Sequence, residues 1–292
     1  MRVPKRLMVA LYKTFVDGPL ILIGKPLYRI TIAIELAIHR ALLARQKRDI
    51  RPSQELVNSH LTAIIKTFER PESLNRLVTS IRKKYPDLHI IIVDDSRHPQ
   101  KLDGVETIIM AYNQGATVGR NEALSHVKTK FFLLLDDDFV FYRHTNLEMS
   151  LSILDSNQQI DIIGGEVVDL PFFTTSDYSQ ARLFPTNAQA TMPSGSSIAG
   201  LPVFEMVANF FLGRTERVQL VGWDPALKNL AHSDFFTRAK GVLTTVFNQD
   251  LKILHARTPF DTVYMTDRND VTFDRAVLLY RYDRQEPPSE GE

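Results

Sequence analysis

From residue 61 onward, short apolar runs alternate with stretches whose apolar positions recur at helical spacing. Leu61 to Ile65 reads as a first strand. Pro71 then opens a helix in which Leu74, Leu77, Val78 and Ile81 fall at i, i+3, i+4 and i+7, a stripe that faces a core. His89 to Val93 reads as a second strand and Thr107 to Met110 as a third. Thr117 to Val127 is a helix, Phe131 to Leu135 a fourth strand and Asn146 to Leu154 another helix. Ile160 to Ile163 is a further strand that ends at Gly164-Gly165. Fully apolar strands separated by helices predict an α/β fold, a mostly parallel sheet flanked by helices on both faces. Such sheets bind ligands beyond the carboxyl ends of their strands. Residues 170–200 hold many Pro, Ser, Thr and Gly and little periodicity, and read as a long loop able to serve as a lid. Val203 to Phe211, Val218 to Val221 and Leu251 to Leu254 read as strands.

The first fifty residues follow another pattern. Leu20 to Ile23 and Ile30 to Ile34 are apolar, but Lys13, Asp17, Lys25, Arg29 and Glu35 interrupt them. A spanning helix needs about 20 consecutive apolar residues, so none is expected here. Ten basic side chains stand against three acids in this stretch, a net of +7 in a chain whose total is +1. Two readings are open for residues 1–50. One is a basic amphipathic helical arm making peripheral contact with an anionic membrane. The other is helices packed on the main domain with their charges solvated. Arg51-Pro52-Ser53 reads as the joint, residues 58–282 as the main domain, and residues 283–292, with two prolines and four acids, as a disordered acidic tail.

Composition narrows the chemistry. At 292 residues, 44% hydrophobic and 24% charged, the chain has ample material for a core. It holds no cysteine, which excludes disulfides, thiolate zinc, iron–sulfur clusters and a Cys nucleophile. The near-neutral total argues against a nucleic-acid partner.

Three acidic or glycine-bearing segments follow successive strands. Asp136-Asp137-Asp138 ends the run Phe131 to Leu135. Three carboxylates there repel one another unless a divalent cation compensates, and hard oxygen ligands suit Mg²⁺ or Mn²⁺. Strand alternation would point Asp136 and Asp138 one way and Asp137 the other. Asp94-Asp95-Ser96 follows the second strand, and serves either a nucleoside or an Asx turn. Gly115 to Asn121 is a glycine-bearing turn opening a helix. Its backbone N–H groups around Gly119, with Arg120, suit a phosphate; the alternative is a plain helix start with a surface arginine. Trp223, the single tryptophan, either stacks on a sugar or packs in the core.

At these residues the sequence resembles the GT-A glycosyltransferases, and within them the β1,4-N-acetylgalactosaminyltransferases. The matching segments are Lys66-Thr67-Phe68-Glu69-Arg70, Ser80 to Pro86, Asp94-Asp95-Ser96, Gly119-Arg120-Asn121 and Asp136 to Phe141. They continue with Gly164-Gly165, Val221 to Pro225, Ala231 to Phe236 and His255-Ala256. The order agrees, and the likeness runs from about residue 61 to 260. The resemblance implies a UDP-sugar donor, Mn²⁺ (or Mg²⁺) and a glycan or glycolipid acceptor. It places Asp136 near the ribose and Asp138 on the metal, with His255 a late metal ligand. Thr67 and Asp95 would hold the uridine, Arg70 and Arg120 the ribose and diphosphate. Gly164 and Gly165 would let backbone approach the donor sugar, and Asp234 would be the catalytic base. By the residues alone, Asp234 is equally a helix-start acid favoured by the dipole, and His255 equally a core histidine. The family's animal members carry a membrane anchor and lumenal cysteines, neither of which this sequence displays.

Two other functions compete with metal-dependent inverting transfer. A sugar nucleotidyltransferase would want a glycine-rich turn after the first strand, where this chain has Thr67-Phe68-Glu69-Arg70-Pro71. A non-catalytic module that binds a nucleotide sugar or glycan would not need Asp136, Asp138, Asp234 and His255 together.

Overall fold

The computed structural model describes residues 20–46 and 52–282, with positions 14 and 18. The expected acidic tail at 283–292 and most of the first twenty residues lie outside the described residues. Helix α1 spans Ile21–Arg45 and α2 spans Pro52–His60, so a helix begins where a joint was expected. The alternating region then runs β1 (Leu61–Thr67), α3 (Pro71–Lys84), β2 (His89–Asp94), β3 (Glu106–Ile109), α4 (Ala116–His126) and β4 (Phe131–Asp136). After it come β5 (Phe139–Val140), α5 (Glu148–Ser156), β6 (Ile162–Asp169) and β7 (Thr174–Thr175). Next are β8 (Ser197–Ile198), β9 (Leu201–Pro202), β10 (Phe211–Arg214), α6 (Thr215–Gln219) and α7 (His232–Ala239). The described part ends with β11 (Thr245–His255), α8 (Thr262–Asn269) and α9 (Thr272–Arg281).

The main sheet runs β3-β2-β1-β4-β10-β6-β11-β5, with β7 on β6. β1, β2, β3 and β4 are mutually parallel, as are β6 and β11; β10 is antiparallel between β4 and β6. Because chain order reverses between β1 and β4, the ends of these strands form a crevice. Alternate residues of each buried strand serve two cores. Leu61, Ala63, Ile65, Leu133 and Leu135 join the core under α2, α3 and α5. Ile64, Phe132 and Leu134 join the one under α4 and α7. α3 follows its pattern: Pro71 opens it, Leu74, Leu77, Val78 and Ile81 are buried, and Arg82, Lys83 and Lys84 complement the dipole at its end.

Three expectations are corrected. Val218 lies in α6 and Val221 just beyond it, because a four-residue segment with three apolar positions cannot separate a strand from a helix. Most of 203–210 is irregular, with Val203 bridging Val246, and the strand there is β10. Gly164 and Gly165 lie inside β6 rather than beyond it.

Candidate active site

The crevice collects the acids. Register sets Thr67 beside Asp94 and Lys66 beside Asp136, so the ends of β1, β2 and β4 are neighbours. Asp94 accepts the backbone N–H of Ser96 and of Gln100, both at 2.9 Å, and is a turn acid. Asp95 is buried; it accepts the Gly115 N–H at 3.0 Å and pairs with the Lys66 ammonium. Burial lowers the Lys66 pKa and Asp95 works against that. Gly119 makes the arrangement possible, since a Cβ there would stand 2.5 Å from Lys66 Cγ. Arg120 donates to Asp136 Oδ1 at 2.8 Å, with its guanidinium 5.8 Å from the Trp223 ring centroid. Trp223 is itself buried and stacked on Phe235 at 5.0 Å.

A second network starts at Thr67, whose hydroxyl donates to Asp137 Oδ2 at 2.6 Å. Arg70 bridges Asp137 and Asp138, donating to Asp138 Oδ2 at 2.8 Å. Alternation therefore does not separate Asp137 from Asp138, because β4 ends at Asp136 and the next two residues form a turn. Burial raises Asp137 to about 6 despite Arg70. Burial would raise Asp138 too, but Arg70 and His255 outweigh it and hold that carboxyl well below the usual range.

His255 ends β11, in register with Asp169 at the end of β6. Its Nε2 lies 3.2 Å from Asp138 Oδ2 and its Nδ1 lies 2.7 Å from Asp169 Oδ1. Burial would depress this imidazole, yet Asp138 and Asp169 push it to about 9. Among the described residues no cluster of three or more His, Asp or Glu side chains forms a metal cage. A carboxylate and an imidazole facing one point fit an ion whose remaining ligands are phosphate oxygens. Such an ion would have to displace the His255 proton. In the metal-free protein, stability from His255 is complete below about pH 6.5 and is lost as pH rises through about 9. Added Mn²⁺ should therefore raise the melting temperature more at pH 9 than at pH 7. A gain independent of pH would show that His255 does not ligate the metal.

Asp169 is a residue the sequence reading missed. A carboxylate beside Nδ1 orients the imidazole so that Nε2 faces Asp138, and for a metal-ligating histidine the loss of such a partner typically weakens metal binding about 10–100-fold. Asp169→Asn should show that loss in Mn²⁺ titrations; unchanged affinity would leave Asp169 as a mere partner of Arg257, which donates to it at 3.1 Å. No local signal marked it, since it meets His255 only through the pairing of β6 with β11.

Asp234 opens α7 and is completely buried. Its carboxylate accepts from Arg238 Nε at 2.8 Å, Arg281 Nη1 at 2.6 Å and the Tyr282 hydroxyl at 2.8 Å. The two glycines of β6 are enclosed as well. A Cβ at Gly164 would meet Val207 at 2.4 Å and one at Gly165 would meet Phe210 at 2.5 Å.

α8 and α9, also missed, lie across the crevice. The Tyr264 ring covers the Arg70 guanidinium at 3.7 Å, and Asn113 donates to Asp267 at 2.8 Å. Asp274 accepts the N–H groups of Lys228, Asn229 and Leu230, and Arg281 and Tyr282 reach Asp234. These contacts bring the crevice acids, the 228–230 segment and Asp234 under one cover. A cavity of about 420 Å³ lies elsewhere, lined by Lys130, Asp161, Arg214 and Arg217 among others. Its cations are already satisfied by Asp155, by Asp161 and by backbone carbonyls.

Residues 62–194 match the profile of Glycosyl transferase family 2. The match is to a glycosyltransferase domain profile and covers just under half of the chain. Over 216 residues, 70% of this chain, it is 36% identical to Beta-1,4 N-acetylgalactosaminyltransferase 1 of Homo sapiens, and it spans 40% of that relative's length. Two solved structures share its fold, which is that of the GT-A glycosyltransferases. S. aureus TarS 1–349 in complex with UDP-GlcNAc aligns with 68% of this chain and 59% of its own, at a TM-score of 0.50 and 15% identity. The mannosyltransferase PcManGT from Pyrobaculum calidifontis, in complex with GDP-Man and Mn²⁺, aligns with 90% and 75%, at a TM-score of 0.51 and 12% identity. The family profile ends at residue 194, so Asp234, His255 and the α8–α9 cover fall outside it.

Proposed function

We propose that this protein is a metal-dependent, inverting glycosyltransferase. It moves a sugar, N-acetylgalactosamine, from a UDP-sugar to a hydroxyl of a glycan or glycolipid acceptor. The observation that carries the reading is the set Asp95, Asp136, Asp138 and His255 gathered at neighbouring strand ends, with Arg70 and Arg120 already on the carboxylates. The relative's printed activity supports the donor choice.

Thr67 and Asp95 hold the uridine; Lys66, freed from Asp95, is a further donor there. Asp136 takes the ribose. Arg120 and the N–H groups at the start of α4, around Gly119, take the diphosphate. Arg70 neutralises Asp137 and Asp138 until the donor arrives, then turns to the nucleotide. Gly164 and Gly165, expected at the donor sugar, instead let Val207 and Phe210 pack closely on β6. Asp138 and His255 would hold Mn²⁺ or Mg²⁺, which supplies charge neutralisation of the leaving UDP. Asp234 removes the acceptor proton once Arg281 and Tyr282 withdraw, so α9 must shift for turnover. Residues 1–50 make peripheral contact with a membrane.

A screen of UDP-sugars for UDP release, with and without Mn²⁺ and candidate acceptors, tests this. Mn²⁺-dependent release from UDP-N-acetylgalactosamine, enhanced by one acceptor class, is expected. Binding of UDP-sugars without release would assign a non-catalytic module instead.

A further inference from the structure

α1 has two apolar faces, and the fold uses one. Tyr28 and Leu43 are buried, and Ile32 and Leu36 pack on Val140, Tyr142, Leu170, Leu254 and Ala256. On the opposite face Leu20, Ile23, Leu27, Ile30, Ile34 and Ile38 recur every three or four residues and are exposed, Ile23 by 62% and Leu27 and Ile30 by 57%. The stripe is about 27 Å long at the helical rise. A continuous exposed apolar surface of this kind marks an interaction site.

Charge decides what covers it. Arg29, Arg40 and Arg45 are exposed on this helix and Lys25 is half-buried beside Phe260. The helix holds one acid, Glu35, half-buried and 3.9 Å from His39. Toward the amino terminus the sequence adds Arg2, Lys5, Arg6 and Lys13 against Asp17. A second copy on this stripe would set arginines against arginines with no exposed acid from either helix to meet them. Anionic lipid headgroups meet all of them, and the acyl region takes the stripe. Among the described residues no helix is long and apolar enough to cross a membrane.

We infer that the exposed face of α1 is a docking surface for an anionic bilayer, with the helix lying in the plane of the interface. This sharpens the membrane contact proposed for residues 1–50 and is independent of the catalytic reading. The Tyr28 hydroxyl donates to the carbonyls of Leu170 at 3.5 Å and Arg257 at 3.4 Å, one residue past Asp169 and two past His255. The docked helix is therefore fastened directly to the His255 edge of the crevice.

Co-sedimentation of the full chain with phosphatidylcholine vesicles, with and without phosphatidylglycerol, tests it. Binding should require phosphatidylglycerol and weaken with added salt. Ile30→Glu with Ile34→Glu should lower affinity at least about 100-fold. Arg29→Gln with Arg40→Gln should lower it about fivefold per arginine. Both double variants should keep the parent melting temperature, because these side chains are exposed. Vesicle binding unaffected by the two glutamates would overturn the assignment to α1 while leaving contact through the rest of residues 1–50 intact. No vesicle binding at all would overturn both. A dimer in sedimentation velocity that the glutamates dissolve would assign the stripe to a second copy.

Discussion

Asp138→Ala should remove Mn²⁺-dependent sugar transfer, lowering turnover by at least about a thousandfold, the scale of several kcal/mol of charge stabilisation at a leaving diphosphate. Asp138 is the one carboxylate that faces both Arg70 and His255. On the proposed reading its removal takes away the carboxylate that would hold the metal, and it leaves Arg70 and His255 without the acid that stands between them. Asp137→Ala should also impair the enzyme, because Asp137 anchors Thr67 and Arg70 from a fully enclosed position. The two losses differ in kind. Asp137→Ala removes a buried partner and should lower the melting temperature while excess Mn²⁺ still supports residual turnover. Asp138→Ala should not respond to Mn²⁺ at any concentration. Parent-level turnover in Asp138→Ala would remove the metal assignment.

The second large effect is at Asp234. Asp234→Asn should lower transfer about 10²–10⁴-fold, the usual contribution of a general base, with UDP–Mn²⁺ affinity near normal. The product should carry the anomeric configuration opposite to the donor's, because a single base-assisted displacement attacks the opposite face. Asp234 also anchors α9 through Arg281 and Tyr282, so an asparagine there has a structural cost that must be separated. Arg281→Ala does so. It breaks one of those contacts from the other side and leaves the carboxylate held by Arg238 and Tyr282. A base covered by α9 predicts that Arg281→Ala retains or raises transfer. An anchoring role alone predicts that both variants lose stability and activity together.

The fold was legible where physics is local. Strands buried on both faces must be apolar throughout, so β1, β2 and β4 stand out as Leu61 to Ile65, His89 to Val93 and Phe131 to Leu135. Carboxylates directly after such runs sit at the strand ends, and Asp95, Asp136 and Asp138 lie at or just past the ends of β2 and β4. What was not legible arises from contacts between distant segments. Asp169 acquires meaning when β6 and β11 pair and bring it to His255. α8 and α9 have few buried residues, so no strong apolar stripe announces them, and their hold on the crevice comes through Tyr264, Asp267, Asp274 and Arg281. The exposed stripe of α1 was hidden for a different reason. Its apolar residues fall on two faces between interspersed charges, and packing alone shows which face the domain leaves open.

The central claim is that Asp138 and His255 complete a metal site whose other ligands come from the UDP diphosphate. Calorimetric titration of UDP into the full chain, with Mn²⁺ and then with a chelator, tests it most directly. The account predicts UDP binding that requires Mn²⁺ and falls sharply in both Asp138→Ala and His255→Ala. Equal UDP affinity with and without the metal would contradict it.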